Sequence, residues 1–421
     1  MDHVETNIDK SRSPLLIPFA ILLLVATVGG VATLLALLHH GGNGTNGTGD
    51  NVPEVSSVGP TTFSKIGPMP VGQTTLHLKG GSAVEVWYPA SPDGYHGTEA
   101  TYNVLDYLPA SILKAFPALK ADNEPYRDGG IRNVEVADGR HPLVLFSHGF
   151  TGFDTQSSFL TSHLASWGFV VAAPEHGDRD LTGVLAKFLN GTAIGGKMVS
   201  QDVSQLSQTI DLMGQQSDDS SSLFNGHIDL TRIGAVGHSA GGSAVEKLAV
   251  VDKRVDSFIG LAGASYGAFG QTDSGAGASV PNVPGLIEYG TLDGVVKPSG
   301  MVSAYNALKQ PKRLIALSSS GHLVFADICK LAPKHGGLIG AAEGAGLPVP
   351  DTLKSLGSDG CSAPAMSVTE AWPAIRQSVT AQLRWTLGFD ESQAGLEGLQ
   401  AAFNGIVAQN TTEPTVSGPV R

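Results

Sequence analysis

The chain has 421 residues, 41% of them hydrophobic, and a formal net charge of -12. That length holds one large domain or two ordinary ones, with enough apolar side chains for a sizeable core. The acidic balance excludes a nucleic-acid partner, because no basic stripe is available to displace counterions from a phosphate backbone.

Residues 1–13 read as a short cytoplasmic segment. Residues 14–39 contain the uncharged run Leu15 to Leu38, LLIPFAILLLVATVGGVATLLALL, long enough to cross a hydrocarbon core of about 30 Å as a helix. Lys10 and Arg12 precede it and the next basic residue is Lys65, so the positive-inside rule puts the N-terminus in the cytoplasm and the rest outside. A transmembrane signal anchor is therefore expected. The alternative is a cleaved signal peptide and a secreted product, against which stand the length of the run and the lack of an A-x-A site. Residues 40–62, rich in Gly, Asn, Thr and Pro, read as a flexible linker. Asn43, Asn46, Asn190 and Asn410 each begin an N-x-[ST] triplet and are expected at the surface.

From Phe63 the pattern becomes regular. TTLHL and AVEVWYPA, joined through Gly80 and Gly81, predict an antiparallel hairpin at a sheet edge. Residues 91–140 are variable, with a helix expected over NVLDYLPASILKAF and a loop rich in Gly, Asp and Arg after it. HPLVLFSHGF (141–150) is a continuous apolar run of the kind buried on both faces of a parallel sheet. A helix (157–168) and a second buried strand, FVVAAPEH (169–176), follow, which implies a right-handed parallel crossover. The alternation continues through a helix at 200–216, the strand ending at Gly237, the strands SFIGLAGA, PGLIEYGTLD and KRLIALSSSGH, and helices at 301–309 and 370–388. A doubly wound, mostly parallel α/β sheet spanning 63–390 is expected, with a C-terminal helix and tail over 391–421. Ligands of such sheets bind at the carboxyl ends of the strands.

The pattern G-x-S-x-G occurs twice, at Gly237-His238-Ser239-Ala240-Gly241 and at Gly263-Ala264-Ser265-Tyr266-Gly267. Only the first passes at once into a helical pattern, which a nucleophile elbow requires because its serine sits on a tight strand-to-helix turn. Ser239 is therefore the expected nucleophile. A serine hydroxyl needs a base to take its proton and a carboxylate to orient that base. His322, directly after the strand LIALSSSG, is the expected base; His335, in a Gly-rich stretch with no strand to place it, reads as a surface residue. Asp293, directly after GLIEYG, is the expected acid, with Asp273 as the alternative and a plain turn cap as the structural reading. The backbone N–H groups of Ala240 and Phe150 are the expected oxyanion donors. His176, beside Asp178 and Asp180, is taken as a turn former, and neither metal nor cofactor is expected. Cys329 and Cys361 are expected to form a disulfide in an oxidising compartment, the alternative being two buried thiols.

HPLVLFSHGFTGFDTQSSFLTSHLASWGFVVAAPEH, GHSAGG, VPGLIEYGTLDGVV and KRLIALSSSGHLVFAD together resemble the α/β-hydrolases of the dienelactone hydrolase, platelet-activating-factor acetylhydrolase and cutinase-like polyester hydrolase branch. Features are also shared with plant chlorophyllases. The resemblance covers about residues 65 to 325. It implies the α/β-hydrolase fold and carboxylic-ester hydrolysis through an acyl-enzyme, with Ser239, Asp293 and His322 in the three family roles. Polyester hydrolases usually carry methionine after the nucleophile and an aromatic residue after the next strand; here Ala240 and a run of small residues stand there, which weakens a polyester reading. Insertions at 177–198 and 326–365 form either a lid or rim or ordinary surface elaboration. The expected partners are a small or lipid-like ester substrate and a membrane reached through the N-terminal helix. A phospholipid acyl hydrolase of the acetylhydrolase type and a non-catalytic surface binding protein are the alternatives.

Overall fold

In the computed structural model the apolar runs of the sequence become the middle of one sheet. Residues 52–120, 124–191, 198–264 and 279–413 are described. The chain divides into units 1–47 and 48–421, and the first, with the whole of the expected membrane span at 14–39, lies outside the described residues. Among the described residues no helix is long and apolar enough to cross a membrane.

The strands are β1 (Val71–His77), β2 (Ala83–Pro89), β3 (Glu99–Tyr102), β4 (Tyr126–Arg132), β5 (His141–Ser147), β6 (Val170–Pro174), β7 (Ile228–His238), β8 (Ser257–Leu261), β9 (Gly285–Gly290), β10 (Lys312–Leu317) and β11 (Val407–Glu413). The helices are α1 (Ala110–Ala115), α2 (Ser158–Ser166), α3 (Leu181–Leu189), α4 (Met198–Asp218), α5 (Ala240–Val251), α6 (Pro298–Ala307), α7 (Leu338–Gly344), α8 (Asp351–Ser358), α9 (Val368–Thr386) and α10 (Leu399–Ala402). The sheet order is β11-β10-β9-β8-β7-β5-β6-β2-β1-β4-β3. The stretch from β10 to β6 is parallel throughout, and the flanking strands are largely antiparallel.

Alternate side chains of each central strand enter opposite layers, as a pleated strand requires. Val144, Phe146 and Val236 pack with Leu160 of α2 and Val379 and Leu383 of α9. Leu143, Leu145 and Ala235 pack on the other face with Leu206 of α4, Leu248 of α5 and Met301 of α6. Both faces of the sheet are thus covered, which is the doubly wound architecture read from the sequence.

Three details differ from that reading. The hairpin β1/β2 is not the edge: β4 pairs with β1 in parallel and β3 lies beyond it. β4 arises from the stretch taken for a Gly, Asp and Arg-rich loop, since an edge strand needs no apolar run. The helix expected over 103–116 is broken by Pro109 into a 3-10 turn (Val104–Tyr107) and the short α1, because a proline restricts the residue before it away from helix. The expected C-terminal helix and tail is a single turn, α10, followed by β11, which pairs antiparallel with β10. Asn410 lies on that strand and is not a free surface position: its amide accepts from Arg313 Nη1 at 2.6 Å and donates to the Leu396 carbonyl at 2.7 Å.

Candidate active site

Four strands deliver polar residues to one end of the sheet. Ser239 ends the turn between β7 and α5 with φ 56° and ψ -119°, a conformation costing about 1–3 kcal/mol that persists only when its surroundings impose it. They do so through close backbone packing. A Cβ on Gly237 would lie 2.2 Å from the Gly241 carbonyl oxygen, and one on Gly241 would lie 2.0 Å from that of Ser147. No side chain fits at either place, which is the physical content of the elbow's glycines. The Ser239 N–H donates to the Leu261 carbonyl at 2.8 Å and fixes the turn against β8.

Ser239 Oγ lies 2.9 Å from His322 Nε2, and His322 Nδ1 lies 2.8 Å from Asp293 Oδ2. All three are buried. The Nδ1–H of His322 donates to the carboxylate, which leaves Nε2 to accept from the serine. Asp293 Oδ1 accepts from the N–H groups of Val295 and Val296 at 2.9 and 2.7 Å. One oxygen therefore caps the turn while the other orients the imidazole, so the two readings of Asp293 describe two atoms of one group. Ser265 and Asp273, the alternatives, lie outside the described residues. His335 is exposed at the end of a 3-10 turn.

Ala240 is the first residue of α5, so its N–H is among those with no acceptor inside the helix. Phe150 follows β5 on a loop that abuts Ser239: a Cβ on Gly149 would lie 3.4 Å from Ser239 Cβ. That loop is held by groups the sequence did not single out. Arg179, fully buried, donates from Nη1 to the carbonyls of His148 and Gly149 (the second at 2.8 Å), from Nη2 to Ser147 Oγ at 2.8 Å, and from Nε to Asp202 at 2.6 Å. With the Gly149 carbonyl turned toward Arg179, the N–H of Phe150 in the same trans peptide points the opposite way.

Two further residues join this loop to His322. Gln156 accepts from the Gly149 N–H at 3.1 Å and donates to His238 Nδ1 at 3.0 Å, and His238 Nε2–H donates to the His322 carbonyl at 3.1 Å. Burial, then the neighbouring His322, holds His238 well below the usual imidazole range, so it stays neutral and serves as a spacer. His176 accepts from Ser147 Oγ at 2.9 Å and donates to Gln205 Oε1 at 2.8 Å; burial and then Arg179 push it down to about 4. Among the described residues no group of three or more His, Cys, Asp or Glu is placed to hold a metal.

Both insertions reach this end of the sheet, and Cys329 and Cys361 are disulfide-bonded across the second. Asp327, buried at the start of that insertion, accepts from the Ser158 N–H at 2.7 Å and the Phe159 N–H at 3.2 Å at the N-terminus of α2. A cavity of about 250 Å³ lies over Ser239 and His322, walled by α1, α3, α7 and α8. The α1 wall comes from the variable stretch 91–140, where a helix was expected but no part in the site.

Residues 120–191 match the family model for platelet-activating factor acetylhydrolase, isoform II. The chain is 24% identical over 255 residues to the platelet-activating factor acetylhydrolase of Cavia porcellus, an alignment covering 49% of this chain and 56% of that protein. It thus spans about half the length of that curated relative. In fold it is similar to a ferulic acid esterase from Streptomyces cinnamoneus, with a TM-score of 0.52 at 22% identity, covering 75% of this chain and 90% of the other. All three similarities fit the resemblance to the acetylhydrolase and esterase branch of the α/β-hydrolases.

Proposed function

We propose that the protein is an α/β-hydrolase, a serine esterase that cleaves carboxylic esters through an acyl-enzyme. The observation that carries the reading is the continuous hydrogen-bonded series from Ser239 Oγ through His322 to Asp293 Oδ2, at 2.9 and 2.8 Å. Ser239 Oγ attacks the ester carbonyl carbon while His322 Nε2 takes its proton. The tetrahedral oxyanion is received by the N–H groups of Ala240 and Phe150. Collapse expels the alkoxide, which leaves as the alcohol with the proton from His322. Water, deprotonated by His322, then attacks the acyl carbon, and Ser239 departs with that proton as the acid is released.

The disulfide supports work in an oxidising compartment, consistent with an extracytoplasmic catalytic unit, anchored through 14–39 or secreted. A phospholipid acyl hydrolase is the second reading, favoured by the acetylhydrolase matches.

A fluorophosphonate probe tests the first step. Labelling of the full-length protein is expected to vanish in Ser239→Ala and to persist in Ser265→Ala; labelling that survives Ser239→Ala overturns the assignment. A folded protein that neither labels nor cleaves nitrophenyl acetate is a binding protein.

A further inference from the structure

We propose that the cavity over Ser239 receives an unbranched aliphatic chain, so that long-chain aliphatic esters are the substrate class of this site. The inference rests on the serine-esterase reading and adds to it what the site selects.

Three separate excursions from the sheet meet over the nucleophile. Leu105 and Ile112 come from the segment around α1, Leu185 and Phe188 from α3, and Leu338 and Leu353 from the disulfide-closed insertion. They enclose about 250 Å³, far more than an acetyl group fills. Among the described residues no charged side chain lines it, and its side-chain polar groups are those of Thr151, Gln156, His238, Ser239 and His322. All five lie at the catalytic end and are already paired: Thr151 Oγ1 donates to the Phe150 carbonyl at 2.6 Å, and the others form the series described above. The deeper wall offers nothing to a phosphate, a sugar or a phenol hydroxyl, and burying such a group unpaired is strongly unfavourable. A hydrocarbon chain meets no such penalty.

The outer face of the same excursions is polar. Lys354 of α8 turns away to pair with Glu343 at 2.7 Å, while Leu353 and Leu356 face the cavity. These helices therefore present their apolar sides to the nucleophile. Phe188 and Leu189, at the end of α3, line the cavity yet remain 44% and 48% exposed, apolar surface that an entering chain would cover. Each methylene transferred from water into such a space favours binding about fourfold.

The test is a series of nitrophenyl acetate, hexanoate and dodecanoate with the full-length protein, alongside nitrophenyl ferulate and an acetyl phospholipid, each below its solubility limit. The expected result is a kcat/KM for dodecanoate at least tenfold above that for acetate and above those for ferulate and phospholipid. Ala342→Phe and, independently, Leu353→Trp, both filling the cavity, should lower the dodecanoate-to-acetate ratio at least tenfold, with retained melting temperature showing that each is folded. Acetate, ferulate or phospholipid as the best substrate, or a ratio unmoved by both variants, overturns the proposal while leaving the esterase reading intact. Absence of all hydrolysis together with fluorophosphonate labelling that survives Ser239→Ala overturns the esterase reading, and this inference with it.

Discussion

Asp359 Oδ1 accepts the backbone N–H of His322 at 2.5 Å. Its other oxygen accepts the N–H of Gly294 at 3.2 Å, and its carbonyl accepts the N–H of Leu323 at 3.0 Å. One side chain of the insertion thus ties the loop carrying Asp293 to the loop carrying His322. Asp359→Ala is expected to lower kcat on nitrophenyl acetate about tenfold to a hundredfold with KM little changed, because small misplacements of reacting groups cost that much. Asp359→Asn, which keeps an acceptor, should recover part of the loss. An unchanged kcat in a folded Asp359→Ala protein would show that the carboxylate positions nothing.

The disulfide works on the same region from two residues away. It closes a loop of 32 residues, which the chain-entropy treatment equates with about 3–4 kcal/mol. The double variant Cys329→Ser/Cys361→Ser should melt several degrees lower in a calorimeter and lose activity on the acetyl ester as well as on long chains, since Asp359 loosens with it. A loss confined to long-chain esters would mean that the insertion shapes the cavity without supporting His322.

Arg179 acts on the other side of Ser239. Its guanidinium fixes the His148 and Gly149 carbonyls, and so the direction of the Phe150 N–H. Arg179→Lys retains the charge beside Asp202 but not the planar fork that reaches four acceptors at once. The expected effect is a kcat reduced about tenfold to a hundredfold, with affinity for a boronic acid falling in step, because such an adduct needs the same oxyanion donors. A variant that folds, turns over normally and binds the boronate as tightly as before would remove Arg179 from the positioning role.

What the sequence made legible follows from which constraints are local. The elbow could be read because Gly237 is required by backbone contacts of under 3 Å within one strand-turn-helix unit, whereas the contact that requires Gly241 comes from the Ser147 carbonyl on β5. The central strands could be read because burial on both faces demands continuous apolar runs. Asp293 and His322 could be placed beside Ser239 because each follows such a strand. Arg179 and Asp359 were not, because their partners lie 30 and 37 residues distant in the chain and neither sits in a periodic pattern. β11 was missed for a related reason: VAQNTTE is polar and half-exposed, as an edge strand is permitted to be. Arg179 did carry one signal, its place in PEHGDRD beside a buried strand end, where a charged residue needs several partners.

Glu288 tests the electrostatics of the core. It stands on β9 with Ser378 Oγ donating to Oε2 at 2.7 Å, and Oε1 has no hydrogen-bond partner among the described residues. Burial pushes its carboxyl up to about 8, offset only in part by the serine. Because the folded value lies above the unfolded one of 4.5, folding favours the protonated acid. That contribution is complete below about pH 4.5 and is lost as pH rises through about 8. Between pH 6 and pH 9 this group alone should cost about 3 kcal/mol of stability, at roughly 1.4 kcal/mol per unit up to the folded value. Glu288→Gln cannot ionise, so its melting temperature should fall less over that interval than the parent's, and at pH 9 the variant should be the more stable of the two. Parallel melting curves for parent and variant from pH 6 to pH 9 would mean that Glu288 ionises as freely in the fold as in water.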